Sequence, residues 1–422
     1  MPWSRKQDAQ QGRPSLFKRL ASRCHGLLDI VVVSGLWGFK MNTAHQASSE
    51  ANSAIISEHR QEPTPPPPSP PMTAFDLVVV GAGGGPDETN LSAYLVKPHP
   101  ARWEDGVLAL EAGSGQGALR GILERKPGLF ESPDDDEGRT LSATDVYNAI
   151  RCFLITHAHL DHINGLVVSA GSLTGPRRRI YAVEQTLKDI ASVFNDRIWP
   201  NLASWKEEDD EYKLLYSTLK PDSSYSPILP DISVQTFPLS HGANDHGPYE
   251  SSAYFVRHDL SGTEFLFFGD VEPDSLAAKP QSINVWRATA PKIPDTLRTV
   301  FIECSYPSGR PDNQLFGHLT PEHLLDELVA LATEVRKSRP LSHASDAPTR
   351  HTRKRQRRLP GPTDIRGALS GLTVYITHCK DAPTQDGRPT REVILEQVRS
   401  LVEAKELGCE VLAVQQGMYI HI

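Results

Sequence analysis

The segment Thr156-His157-Ala158-His159-Leu160-Asp161-His162 constrains this chain more than any other. Three histidines and a carboxylate within so short a span are hard to explain as packing, since a histidine satisfied on a core face is expected singly. The spacing has a physical use. In an extended segment His157 and His159 project to the same side, and a turn after them lets Asp161 and His162 point at a second position close by. Imidazole and carboxylate donors without a thiolate suit zinc, and also manganese or iron. One short segment thus seeds two metal positions rather than one.

Two metals need more ligands, and the chain offers them in a consistent place. The apolar run 152–155 ends at the motif. Residues 233–239 end at Ser240-His241-Gly242, and Glu264–Phe268 ends at Gly269-Asp270. Residues 299–302 end at Glu303, and 372–377 end at His378. Each run reads as a buried strand, and strand ends are where a rigid sheet can hold side chains around a shared cleft. Further strands are expected at 75–80 and 92–96, joined through the loop Gly81-Ala82-Gly83-Gly84-Gly85. Pro86, Asp87 and Glu88 follow it, whereas a dinucleotide or P-loop cradle needs a helix there. The loop is therefore expected to be a tight turn between two strands. A helical pattern covers 321–335.

The bulk properties narrow the function classes. A formal net charge of −8 argues against tracking a long polyphosphate backbone, which needs a basic face. It leaves a small anionic substrate open, because a bound cation supplies local positive charge. Cys24, Cys152, Cys304, Cys379 and Cys409 are scattered, odd in number and without a CxxC pair, which points away from a disulfide framework and toward a reducing compartment. Residues 63–71 contain seven prolines and read as a polyproline II spacer. The basic first 40 residues include an apolar stretch, 27–39, too short to span a bilayer, and Asp8 and Asp29 speak against an organellar presequence. The expected organisation is a disordered leader and proline-rich linker over 1–73 and a catalytic domain over 74–422. A disordered insertion is expected at 336–362, which includes Lys354-Arg355-Gln356-Arg357-Arg358. The expected location is intracellular and cytoplasmic, with that basic run the one feature that points to the nucleus. Acidic stretches at 134–137 and 207–211 read as solvated loops.

The order HxHxDH, then His, then Asp, then His resembles the metallo-β-lactamase superfamily over residues 74–420. Within it, His157-Ala-His159-Leu-Asp161-His162-Ile-Asn-Gly-Leu-Val-Val-Ser169-Ala170 looks like the signature of class II cyclic-nucleotide phosphodiesterases. Asn90-Leu-Ser92-Ala-Tyr94-Leu, Leu239-Ser-His241-Gly, Phe268-Gly-Asp270-Val, Glu303-Cys-Ser-Tyr306, His318-Leu-Thr320 and Thr377-His378-Cys-Lys380 look like that family's blocks too. The resemblance implies an α/β fold, an αββα sandwich with a dinuclear metal site at one edge. It implies one zinc held by His157, His159 and His241, a second by Asp161, His162 and His378, and Asp270 bridging them; Mn2+ or Fe2+ are the alternatives. The implied reaction is hydrolysis of 3′,5′-cyclic nucleotides, cyclic AMP first and cyclic GMP second, to nucleoside 5′-monophosphates by a zinc-activated hydroxide.

Asp161, His318 and Glu303 form the expected catalytic set. His318 is the candidate acid for the leaving oxygen, oriented by Glu303, by similarity to the tRNA 3′-processing endonucleases of the superfamily. The plainer reading is that His318 caps the helix starting near Pro321. Lys380 is the candidate phosphate contact, with a surface lysine as the alternative. The expected partner is a small cyclic nucleotide, with no nucleic-acid polymer and no integral membrane span. Competing readings are RNA 3′ processing or thioester or lactam hydrolysis on the same centre, which fold alone does not separate. A non-catalytic binding protein would be marked by loss of ligands, and none of the seven is lost.

Overall fold

The structure is a computed structural model that describes residues 73–131, 140–222, 224–245, 247–339, 364–382 and 387–422. The expected leader and linker, the acidic stretch 134–137 and the basic run 354–358 lie outside them. In chain order the strands of the first half are β1 (Phe75–Gly81), β2 (Ala93–Pro98), β3 (Val107–Leu110), β4 (Ile150–Leu154), β5 (Arg178–Ala182), β6 (Ala203–Ser204), β7 (Leu214–Thr218) and β8 (Ser226–Leu229). The second half supplies β9 (Ile232–Asn244), β10 (Gly247–His258), β11 (Glu264–Phe268), β12 (Leu297–Glu303), β13 (Thr373–Thr377), β14 (Glu410–Ala413) and β15 (Tyr419–His421). The helices are α1 (Gln116–Arg125), α2 (Ala143–Ala149), α3 (Leu160–Ser169), α4 (Glu184–Val193), α5 (Ser282–Thr289), α6 (Pro321–Ser338) and α7 (Thr390–Ala404).

These strands form two sheets, in the orders β15-β1-β2-β3-β4-β5-β7-β6 and β14-β13-β12-β11-β10-β9-β8. Strand alternation divides the core into three layers. On β1, Leu77 and Val79 share a cluster with Phe265 and Phe267 of β11 and Phe301 of β12, which is the space between the sheets. Val78 and Val80 instead pack with Leu119 and Ile122 of α1 and with Ile163 and Leu166 of α3. Likewise Leu266 and Phe268 of β11 turn away from the sheet interface, toward Trp286 of α5 and Leu328 of α6. Both faces of each sheet are therefore buried, which is why these strands read as unbroken apolar runs. The arrangement is the expected αββα sandwich.

The connections place one edge of both sheets together. β3 and β4 run parallel, as do β11, β12 and β13, and β9 points the same way as β11 because each is antiparallel to β10. The segments leaving β3, β4, β11, β12 and β13, together with the far end of β9, carry the motif residues.

Three expectations need correcting. The run expected to stop at Leu239 continues as β9 to Asn244, so His241 lies inside a strand, where the pairing with β10 shifts register between Pro248 and Glu250. Ser240, Gly242 and Asn244 do not end it, because this part of the β9–β10 ribbon is open to water and tolerates polar residues. The insertion expected over 336–362 does not begin at Arg336: α6 continues to Ser338, with Val335 buried and Arg336 and Lys337 in its last turn, where cations favour the helix dipole. Residues 340–362 are outside the described set. Finally, β1 and β2 are joined by a longer loop, 82–92, rather than a tight turn. No helix follows the glycines, but Gly83 makes bridge contacts with both Leu91 and Cys379, which draws the loop across the end of β13. Among the described residues no helix is long and apolar enough to cross a membrane.

Candidate metal centre

His157 and His159 follow β4, and His159, in extended backbone, is the N-cap residue of α3. Asp161 and His162 then fall in the first helical turn, so the turn that the motif requires is a helix start. Two ligand groups result. In the first, His157 Nε2 lies 3.1 Å from His159 Nδ1, and His241 Nε2 lies 3.3 Å from the same atom. In the second, His378 Nε2 is 3.1 Å from both His162 Nε2 and Asp161 Oδ2. Asp270, immediately past β11, belongs to both groups. Its Oδ2 is 3.7 Å from His157, 3.6 Å from His241 and 3.3 Å from His378, while Oδ1 is 3.4 Å from His162.

The protonation of these rings follows from what holds their outer nitrogens. His241 Nδ1 donates to the Gly317 carbonyl at 2.8 Å, which leaves Nε2 a lone pair facing inward. Ser305 Oγ donates to Glu303 at 2.6 Å and so accepts from His378 Nδ1 at 3.0 Å. His162 Nδ1 faces Glu111 Oε2 at 3.2 Å, a charge contact short of an aligned hydrogen bond. His157 Nδ1 meets Thr156 Oγ1 at 3.0 Å. His159 is the exception: its Nδ1 points inward and its ring stacks on Tyr249, with centroids 4.7 Å apart and planes 5° apart. Burial pushes His157, His159 and His241 below the usual imidazole range, His241 to about 4. They therefore stand neutral, as metal ligands must. Burial opposes ionisation of Asp161, but the His378 hydrogen bond and the charge of His162 outweigh it and hold the carboxyl low.

Nitrogens converging from two or three imidazoles and a carboxylate, with His241 and His378 oriented through hydrogen bonds at their outer nitrogens, suit a divalent cation on each side of Asp270. The donor set fits the expected metals, and the third layer of contacts explains its rigidity. Glu303, the last residue of β12, accepts from Val271 N at 3.0 Å, His318 Nδ1 at 2.8 Å and Ser305 Oγ at 2.6 Å. It thereby ties the Asp270 loop, His318 and His378 to one buried carboxylate. His318 does not cap α6. Thr320 is the N-cap residue, and the His318 ring lies 5.1 Å from that of His241 and 5.2 Å from that of His378. Burial lowers its basicity, but the Glu303 and Asp270 carboxylates reverse this and raise it overall. Lys380 donates to the Gly84 carbonyl at 2.8 Å and stands 4.0 Å from Asp161 Oδ2, partly exposed at the mouth.

Every site residue expected from the sequence is thus brought to one place. Others were missed. Glu111 follows β3 with φ at 59°, accepts from Thr156 N at 3.1 Å and faces His162. It repeats the rule of a polar residue at a strand end, and could have been found by it. Gly84 has no such signal: a Cβ there would reach within 2.7 Å of His378 Nε2. His378 itself is held at φ 58°, an outlier for a non-glycine residue of the kind concentrated at functional sites.

A two-sheet sandwich with clustered histidines and carboxylates at one edge, suited to a divalent metal, places the protein in the metallo-β-lactamase fold class. The solved structure of unliganded yeast PDE1 is similar, with a TM-score of 0.66 at 26% identity, covering 83% of this chain and all of that one. The sequence profile of class-II cAMP phosphodiesterases matches residues 135–417, and the chain belongs to that family. A 3′,5′-cyclic-nucleotide phosphodiesterase of Schizosaccharomyces pombe is 31% identical over 364 residues, covering 82% of this chain and 92% of its own. The 3′,5′-cyclic-nucleotide phosphodiesterase 1 of Saccharomyces cerevisiae is 28% identical over 392 residues, covering 80% and 96% respectively.

Gly84→Ala should drive a methyl group into the His378 ring. Elemental analysis of the folded variant is expected to show about half the divalent metal of the parent, since the Asp161–His162–His378 position loses a ligand. Gly117→Ala, on α1 with open space around its Cβ, should keep full metal content.

Proposed function

We propose that the protein hydrolyses 3′,5′-cyclic nucleotides, cyclic AMP foremost, to the nucleoside 5′-monophosphates at a centre holding two zinc ions. The observation that carries the reading is the double ligand group sharing Asp270, found in a chain of the class-II phosphodiesterase family. His157, His159, His241 and Asp270 would hold one ion, and Asp161, His162, His378 and Asp270 the other. When bound, such ions supply Lewis-acid charge to the phosphoryl oxygens and make a nucleophile from water at neutral pH.

The chain's own groups do the rest. A cyclic phosphodiester is anionic and its leaving group is an alkoxide, so the reaction needs positive charge at the phosphate and a proton at the ribose 3′ oxygen. Lys380, partly exposed beside Asp161, is suited to the first task. His318 is suited to the second. Its Nδ1 is committed to Glu303, which leaves Nε2 free to give a proton, and that hydrogen bond fixes the ring's orientation. The family match supports this reading over RNA processing and over thioester or lactam hydrolysis. The proposed location is the cytoplasm, supported by Cys152, Cys304 and Cys379 as free buried thiols, whose ionisation burial suppresses further.

Purified protein incubated with cyclic AMP and cyclic GMP should release 5′-monophosphates, and a chelator should abolish turnover until Zn2+ is restored. Release of neither product by metal-replete protein would contradict the proposal. His318→Ala should lower kcat on cyclic AMP by about 10²–10⁴-fold with metal content unchanged. The loss should shrink to a few-fold on a p-nitrophenyl phosphodiester, whose leaving group departs without a proton. Equal losses on both substrates would make His318 structural.

A further inference from the structure

Phe316 is placed in a way that packing does not explain. Its side chain is 71% exposed while its neighbours Leu315, Gly317 and His318 are all buried. Its backbone is also left-handed, with φ at 53°, a conformation in which a bulky aromatic residue is an outlier. A chain selected for stability alone would place glycine or asparagine here and keep the ring out of water. Both features together mark a residue held for use.

The use follows from where the turn is anchored. Gly317 presses on His241, accepting its Nδ1 hydrogen at 2.8 Å and lying so close that a Cβ would come within 2.9 Å of that ring. His318 follows directly, 3.7 Å from Asp270. Phe316 is therefore tethered beside the centre by the chain, one residue from the carbonyl that orients His241 and two from His318. Behind it, Tyr306 packs edge-on against His318 at 5.9 Å, and the Arg310 guanidinium lies 3.8 Å over Tyr306 and 5.8 Å from Phe316. Arg310 Nε also donates to the Gln314 carbonyl at 2.6 Å. This ladder gives the exposed ring a backing without covering it. By contrast, the exposed Leu260 sits in the β10–β11 turn, at the opposite end of the sheet.

We propose that Phe316 is the specificity-determining residue that stacks on the nucleobase of the substrate. The inference rests on the cyclic-nucleotide reading given above. A flat, apolar ring offered to solvent beside a phosphate-hydrolysing centre matches the π-face of a purine, and stacking of this kind is tolerant of which purine is present. Phe316 thus selects for a base-bearing diester and leaves discrimination between adenine and guanine to other groups.

The test compares Phe316→Ala, Phe316→Trp and Phe316→Asn on cyclic AMP and on methyl p-nitrophenyl phosphate, a diester without a base. Asparagine tolerates the left-handed backbone and so keeps the turn while removing the ring. The alanine and asparagine variants should raise KM for cyclic AMP about ten-fold or more, with a smaller change in kcat. Their kcat/KM on the base-free diester should fall at least five-fold less than on cyclic AMP. The tryptophan variant should recover most of the KM. The thermal midpoint of the asparagine variant should match or exceed that of the parent, since a strained residue has been relieved. An unchanged KM, equal losses on both diesters, or a lowered midpoint in the asparagine variant would overturn the proposal. A parent protein that cleaves the base-free diester but not cyclic AMP would instead overturn the substrate reading, and this inference with it.

Discussion

Asp270 carries a fully buried carboxylate into a space where His157, His162, His241, His318 and His378 all approach it within 3.7 Å. Burial by itself would force such a carboxyl to take up a proton. Here the neighbouring imidazoles of His378 and His162 outweigh burial and hold it well below the usual carboxylate range. The arrangement is stable only while imidazoles or cations surround it, because an unpaired charge in the interior costs several kcal/mol. The whole edge of the sandwich is built to deliver those partners. Four segments from two sheets, far apart in sequence, converge on one anion.

Delivery alone would leave flexible rings. What fixes them is a layer of second contacts, three of them from the end of β12 and the connection that follows it. Gly317 holds His241, Ser305 holds His378, Glu111 faces His162, Tyr249 lies flat on His159, and Glu303 ties three of the segments together. Close packing supports this layer, since Phe301 sits between the sheets beside Tyr94, Phe265, Phe267 and Tyr375. Strands clamped on both faces cannot shift their ends without opening that core. Site geometry and inter-sheet packing are therefore one constraint rather than two.

Much of this was legible in the sequence because burial on both faces writes itself as apolar runs. The chemistry then shows as polar residues that interrupt those runs at their ends. The candidate ligands His157, His159, Asp161, His162, Asp270 and His378 all obey that rule. His241 obeyed it only in part, since the β9–β10 ribbon extends past the core and a water-facing strand has no apolar signal to follow. Glu111 obeys it too, at the end of the short run Val107–Leu110. Gly84 and Ser305 both act through contact with His378, 294 and 73 residues away respectively. Such long-range contacts leave no periodic trace. The same holds for Phe316, whose exposure and backbone angle are properties of the folded turn.

The central claim is that Asp270 is shared between two cations. Anomalous diffraction from crystals of metal-replete protein, collected above and below the zinc edge, tests it most directly. The account predicts two peaks about 3.5–4 Å apart, one bounded by His157, His159 and His241 and the other by Asp161, His162 and His378, with the Asp270 carboxylate touching both. A single peak in fully active protein, or a second peak held by Glu303 and His318 away from Asp270, would contradict it.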